Sequence, residues 1–151
     1  MTENQKEQNL WNIFFMLVYM VFLVCGLFII VRVNGHLPRS IATVDLILIV
    51  LATFRLVRLF VYDKIMRWMR HMFADIHHGP RKTINDLLGC PWCLGLWMGT
   101  TVVFFYFLAP AVTWFFILIL AISGVATSLQ LLANLVGWNA EKVKRSVESM
   151  K

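Results

Sequence analysis

At 151 residues, with 60% hydrophobic and only 15% charged side chains, the chain is too apolar for a soluble globular domain, in which apolar residues make up roughly half, and it reads as one integral membrane domain over residues 1–151. A formal charge of +6 on such a chain is explained first by loop charges that set orientation and meet anionic lipid headgroups. No groove-reading or base-stacking module accompanies the basic residues, so nucleic acid is excluded as a partner. Three cysteines, Cys25, Cys90 and Cys93, are too few and too unevenly placed for a secreted disulfide framework.

The polar start, Met1 to Asn9, gives way to a first apolar span over residues 10–31, bracketed by Trp11 and Arg32. It is too long for a signal-peptide core and no small-x-small site follows, so a retained span is expected. Gly35 and Pro38 break the chain before Ser40, which can cap a second span over 41–62. That span carries Asp45, Arg55 and Arg58, and an intramembrane charge costs about 3 kcal/mol by insertion scales unless it has partners. Arg55, Arg58 and Tyr62 share one helical face. Two readings stand: a structural fixture against a neighbouring helix, or a site for lipid phosphate or another anion. They differ in whether a protein acceptor satisfies each guanidinium.

Past Tyr62 the pattern turns amphipathic. Ile65, Trp68, Met69, Met72, Phe73 and Ile76 recur at helical spacing opposite Lys64, Arg67, Arg70, His71 and Asp75, which predicts a cytoplasmic surface helix over 64–78 with its basic side toward lipid headgroups. Asp63 with Arg67 and Arg70 reads as a solvated ion-pair ladder. Gly79-Pro80 ends this helix, and Thr83 with Asp86 resembles a capping box for a short turn over 84–88.

From Leu94 to Val136 the chain is apolar for about twice the length of one crossing, interrupted by Pro110, which predicts a hairpin of spans 93–108 and 113–136 followed by a short basic tail. Gly95 and Gly99 form a G-x-x-x-G that lets helices approach closely. In the last span Ser123, Thr127, Gln130 and Asn134 form one polar stripe; matched depth pairs Arg55 with Gln130 or Asn134. The expected architecture is therefore all-α, with four transmembrane helices plus the surface helix. Lys and Arg are concentrated beside the termini and in the 63–89 loop, against Arg32 and Arg39 on the other side, which predicts cytoplasmic N- and C-termini.

Cys90-Pro91-Trp92-Cys93 enters a helix with proline in its first turn, where free amides and the helix dipole favour a thiolate. Three uses are open: dithiol redox exchange, half of a zinc site completed from His71, His77 or His78, or small structural residues. Zinc is thus the one cofactor left open and none is otherwise expected.

The stretches LATFRLVRLFVYDKI (residues 51–65) and LLGCPWCLGLW (87–97) resemble a family of small bacterial and phage membrane proteins known as a domain of unknown function, some of whose members are labelled sporulation proteins. Arg55, Arg58, Asp63, Cys90, Pro91, Trp92, Cys93 and Trp97 stand at its recurring positions. The resemblance covers roughly residues 45–108, leaves out the first span, and implies a bacterial inner-membrane setting without importing an activity. The expected function is a non-enzymatic multi-pass membrane module that self-associates or binds a membrane partner. The alternatives are a membrane thiol oxidoreductase using Cys90 and Cys93, and a small channel or holin-like pore.

Overall fold

A computed structural model of the chain describes residues 3–36, 40–74 and 79–149. Six α-helices follow in order: α1 (Glu3–Asn34), α2 (Thr43–Val61), α3 (Arg67–Ala74), α4 (Pro80–Gly89), α5 (Pro91–Leu108) and α6 (Pro110–Ser149), with a 3-10 turn at Lys64–Met66 before α3. No strand occurs among the described residues. Proline opens α4, α5 and α6, where its missing N–H costs nothing and its fixed φ suits the first turn. Gly35 and Gly79 take positive φ, 73° and 81°, to turn the chain after α1 and before α4.

Among the described residues three helices, not four, are long and apolar enough to cross a membrane: Gln5–Asn34, Pro91–Leu108 and Pro110–Glu148. The expected second span is corrected by its own charges. Asp45, Arg55 and Arg58 fall within the nineteen residues of α2 and remove it from that class although its length would suffice. It is a charge-bearing helix packed against α6 and α5. The hairpin turns at Ala109, directly before Pro110. Beyond it the supposed tail is continuous helix to Ser149, because Ala140 to Glu148 offers good helix formers and the ion pairs Glu141–Arg145 and Lys144–Glu148 at i,i+4 spacing.

The contacts set the direction of each helix. Asp45 lies by Tyr106, Thr53 by Gly99 and Val57 by Gly95, so α2 and α5 run antiparallel. Tyr19 bonds Thr100 and Asn34 bonds the Phe107 carbonyl, so α1 and α5 run parallel. One end of the bundle therefore holds the start of α1, the end of α2, α3, α4 and Cys90; the other holds Gly35 and Pro110. Ile49 and Ala52 of α2, Val102 of α5 and Ile117 of α6 form the buried core. α1 is added to it through α5, with Phe22 stacked on Trp97 and tilted against Phe104. Most other apolar side chains of α1 and α6 face outward, Val21, Phe28, Phe115 and Ile122 among them, and only lipid covers such surfaces at low cost. This is a multi-pass membrane protein in contact with the bilayer.

Two glycines mark the closest helix contacts. A Cβ on Gly26 would fall 2.0 Å from the Phe104 ring, and one on Gly124 would fall 2.8 Å from the Leu51 carbonyl oxygen. The G-x-x-x-G pair meets α2 within the same chain at ordinary distance, 3.7 Å from Val57 for Gly95 and 3.5 Å from Thr53 for Gly99. That motif is spent inside the bundle.

Candidate functional site

Two groups of polar side chains, one around Arg55 and one around Cys90 and Thr83, lie toward the Cys90 end of the bundle. Arg55 Nε donates to Ser123 Oγ at 2.9 Å, and Arg55 Nη1 pairs with Asp63 Oδ2 at 2.9 Å. The side chains are 18% and 30% exposed, so the pair is shielded enough for each charge to need the other. Asp63 is therefore no member of a solvated ladder. It sits just past the end of α2, where its N–H donates to the Arg58 carbonyl at 3.1 Å, and the chain's turn there folds its carboxylate back onto α2. Arg70 donates to the carbonyls of Phe60 and Asp63 and so caps α2, which corrects its assignment to a lipid-facing surface. Lys64 and Arg67 are exposed, as are the apolar Ile65, Trp68 and Met72. Of the expected surface helix, Lys64–Met66 form a 3-10 turn and Arg67–Ala74 form α3; Asp75, Ile76, His77 and His78 lie outside the described residues.

Arg58 differs from Arg55. Its Nε is buried without a hydrogen-bond partner, and its guanidinium carbon lies 6.0 Å from the Phe54 ring centre and 5.4 Å from that of Tyr62. Aromatic faces attract the cation but accept no ordinary hydrogen bond. The stripe on α6 is divided: Ser123 meets Arg55, Thr127 bonds back to the Ser123 carbonyl, and Gln130 donates to Asn134 at 3.1 Å on the exposed side. The pairing of Arg55 with Gln130 or Asn134 is thus replaced by Ser123 and Asp63, since α6 is set deeper against α2 than equal depth implied. Tyr106 donates to Asp45 Oδ2 at 2.5 Å, which joins α5 to the first turn of α2.

Cys90 is the N-cap of α5, with extended backbone (φ −100°, ψ 105°), and its sulfur accepts from the Cys93 N–H at 3.3 Å. The two sulfurs are 2.7 Å apart and unbonded. The Cys93 thiol and amide as donors hold the Cys90 thiol below its ordinary pKa. Alkylation of Cys90 should accordingly set in at lower pH than for a free thiol, and Cys93→Ala should move that onset up, read from rate-against-pH profiles of the two proteins. No group of three or more potential His, Cys, Asp or Glu ligands gathers among the described residues.

Both cysteines line a pocket of about 450 Å³ between α1, α4 and α5, with Phe15, Tyr19 and Trp97 as its aromatic walls. Its polar rim contains Asn12 and Thr83. Thr83 is not a cap: α4 starts three residues earlier at Pro80, and Thr83 is buried, accepting from Gln8 at 2.7 Å and donating to Asn12 Oδ1 at 3.2 Å. Sequence reading had no access to this link, because polar residues far apart along the chain carry no mark of their partners.

Residues 48–133, which run from α2 into α6, match the family described as a protein of unknown function (DUF1360). The chain is similar to the sporulation protein YjcA of Bacillus subtilis (strain 168), 31% identical over 106 residues that cover 59% of this chain and 90% of that protein. It is also similar to the UPF0713 protein YngL of the same bacterium, 29% identical over 116 residues covering 69% and 88%. No solved structure matches. This chain belongs to the DUF1360 family, and its relatives are bacterial.

Proposed function

We propose that this DUF1360 family member is a membrane module that works by association, pairing with a second copy through the second half of α6. The observation that carries this is the reach of α6. Its 40 residues span about 60 Å, twice a bilayer core, and every described side chain from Leu129 to Glu148 is exposed. A helix end of this length standing free in water is marginal without a packed face. Leu129, Leu132, Val136 and Val143 follow steps of three, four and seven along one side, with Asn139 at the intervening position, a pattern that suits parallel pairing of two copies held in one membrane. The full chain in nanodiscs or mild detergent should have twice the protein mass of 17.5 kDa. Val136→Lys with Val143→Lys should return it to a monomer that still folds. A monomer at every concentration, or a dimer indifferent to these substitutions, overturns the reading.

The same proposal puts the Cys90 end of the bundle in the cytoplasm of a bacterial cell, with the exposed face of α3 against anionic headgroups. Lys64, Arg67, Arg81, Lys142 and Arg145 all belong to elements at or beyond that end, as the positive-inside rule favours. A membrane-impermeant maleimide should then label Cys90 in inverted vesicles and spare it in right-side-out ones; the reverse pattern would place the end outside. A second reading, thiol oxidoreductase, is favoured by the 2.7 Å approach of the two sulfurs. A pore is supported less well, since Ser123 of the α6 stripe is taken up by Arg55 and Thr127 by its own helix.

A further inference from the structure

The pocket at the start of α5 gives the thiol reading a substrate class. Several features converge there. Both sulfurs form part of its wall, so whatever enters meets the dithiol directly. Its volume of about 450 Å³ falls within the range of small-molecule sites, roughly 300–1,000 Å³. Phe15, Tyr19 and Trp97 offer flat faces, and Tyr19 and Trp97 are held edge to face with centres 5.1 Å apart. Met16 and Leu96 line it while being exposed on the outer faces of α1 and α5, the two spans that flank it, so the pocket is continuous with the lipid-facing surface. Asn12, Thr83 and Asp86 are polar members of the lining, and Thr83 already donates to Asn12, whereas apolar and aromatic side chains make up most of the wall, which suits a planar, lipid-borne molecule better than the polar backbone of a peptide disulfide.

We propose that this pocket admits a membrane quinone and that Cys90 and Cys93 reduce it. The inference rests on the thiol reading above and is independent of whether two copies pair. The Cys90 thiolate attacks a ring carbon of the quinone and the Cys93 sulfur then attacks the Cys90 sulfur, so that the carbon–sulfur bond breaks as the sulfur–sulfur bond forms. Two S–H bonds are lost, the dithiol gives up two electrons and two protons, and the quinone leaves as quinol carrying both. The N-terminal amides of α5 face the Cys90 sulfur and stabilise its anionic form at the moment of attack. Trp92, between the cysteines, is 89% exposed at the bundle end and suits an interfacial anchor that keeps the dithiol at headgroup depth.

The test uses the full chain in nanodiscs, reduced and held without oxygen, with ubiquinone-1 as the probe. One equivalent of quinol should form per chain as two thiols disappear, and Cys90→Ser and Cys93→Ser should each abolish quinol formation in a folded protein. Leu96→Trp, a change in the pocket wall, should raise the ubiquinone-1 concentration for half-maximal rate at least tenfold. Loss of thiols to glutathione disulfide without any reaction with ubiquinone-1 would overturn the quinone site and leave the thiol reading standing. Inertness to both oxidants would overturn the two together. Quinol formation unaffected by Leu96→Trp would show that the reaction takes place outside this pocket.

Discussion

Asp63→Ala should destabilise the bundle by about 2–3 kcal/mol, because it leaves the Arg55 guanidinium shielded from water with Ser123 as its remaining partner. Ser123→Ala should cost far less, about 0.6 kcal/mol, the usual worth of one interhelical hydrogen bond in a membrane. The difference in size separates a charge that needs its counter-ion from a polar contact that merely helps. Removing both partners of the ion pair, as in Arg55→Leu with Asp63→Leu, should recover much of the loss, since replacing a whole buried pair by apolar groups is often neutral. Detergent-denaturation curves of the single and double variants give the coupling directly. Strict additivity of Arg55 and Asp63 would deny that they meet, whereas Arg55 and Asn134 should add, because Asn134 bonds Gln130 instead.

Gly124→Val is expected to be comparably damaging, with a cost of about 1–3 kcal/mol from overpacking. The neighbour that a Cβ would strike at 2.8 Å is the Leu51 carbonyl, part of the α2 backbone, and it cannot swing aside as a side-chain tip can. α2 and α6 would have to separate, loosening the Ile49–Ile117 core contact and the Arg55–Ser123 bond together. Gly137 provides the control. A Cβ there meets nothing within 4 Å, so Gly137→Ala should stabilise the helix by about 1 kcal/mol, the ordinary propensity gain. Equal losses at the two positions in thermal unfolding would mean that α2 and α6 do not approach as closely as their backbones indicate.

What the sequence by itself determined is what depends on neighbours along the chain. Continuous apolar runs made the protein helical and membrane-embedded, Pro110 divided the long run into a hairpin, and Pro91 placed Cys90 at a helix start. The same local evidence counted four spans where three helices among the described residues have the length and apolarity of one. α2 has the length of a crossing, and local pattern alone does not tell whether its three charges await partners or set it in another class. Partner choice was decided only in the tertiary structure. Helical periodicity specifies which face a residue occupies but not how far one helix slides along another, so depth matching selected Gln130 and Asn134 while the actual offset brought Ser123 to Arg55. Asp63 reached Arg55 because the chain turns sharply after Tyr62, a bend that a pattern of charges cannot encode. Likewise the pocket beside Cys90 needs α1, α4 and α5 at once. Its walls are drawn from residues far apart in the chain, and the packing that joins them is set by shape and burial rather than by spacing.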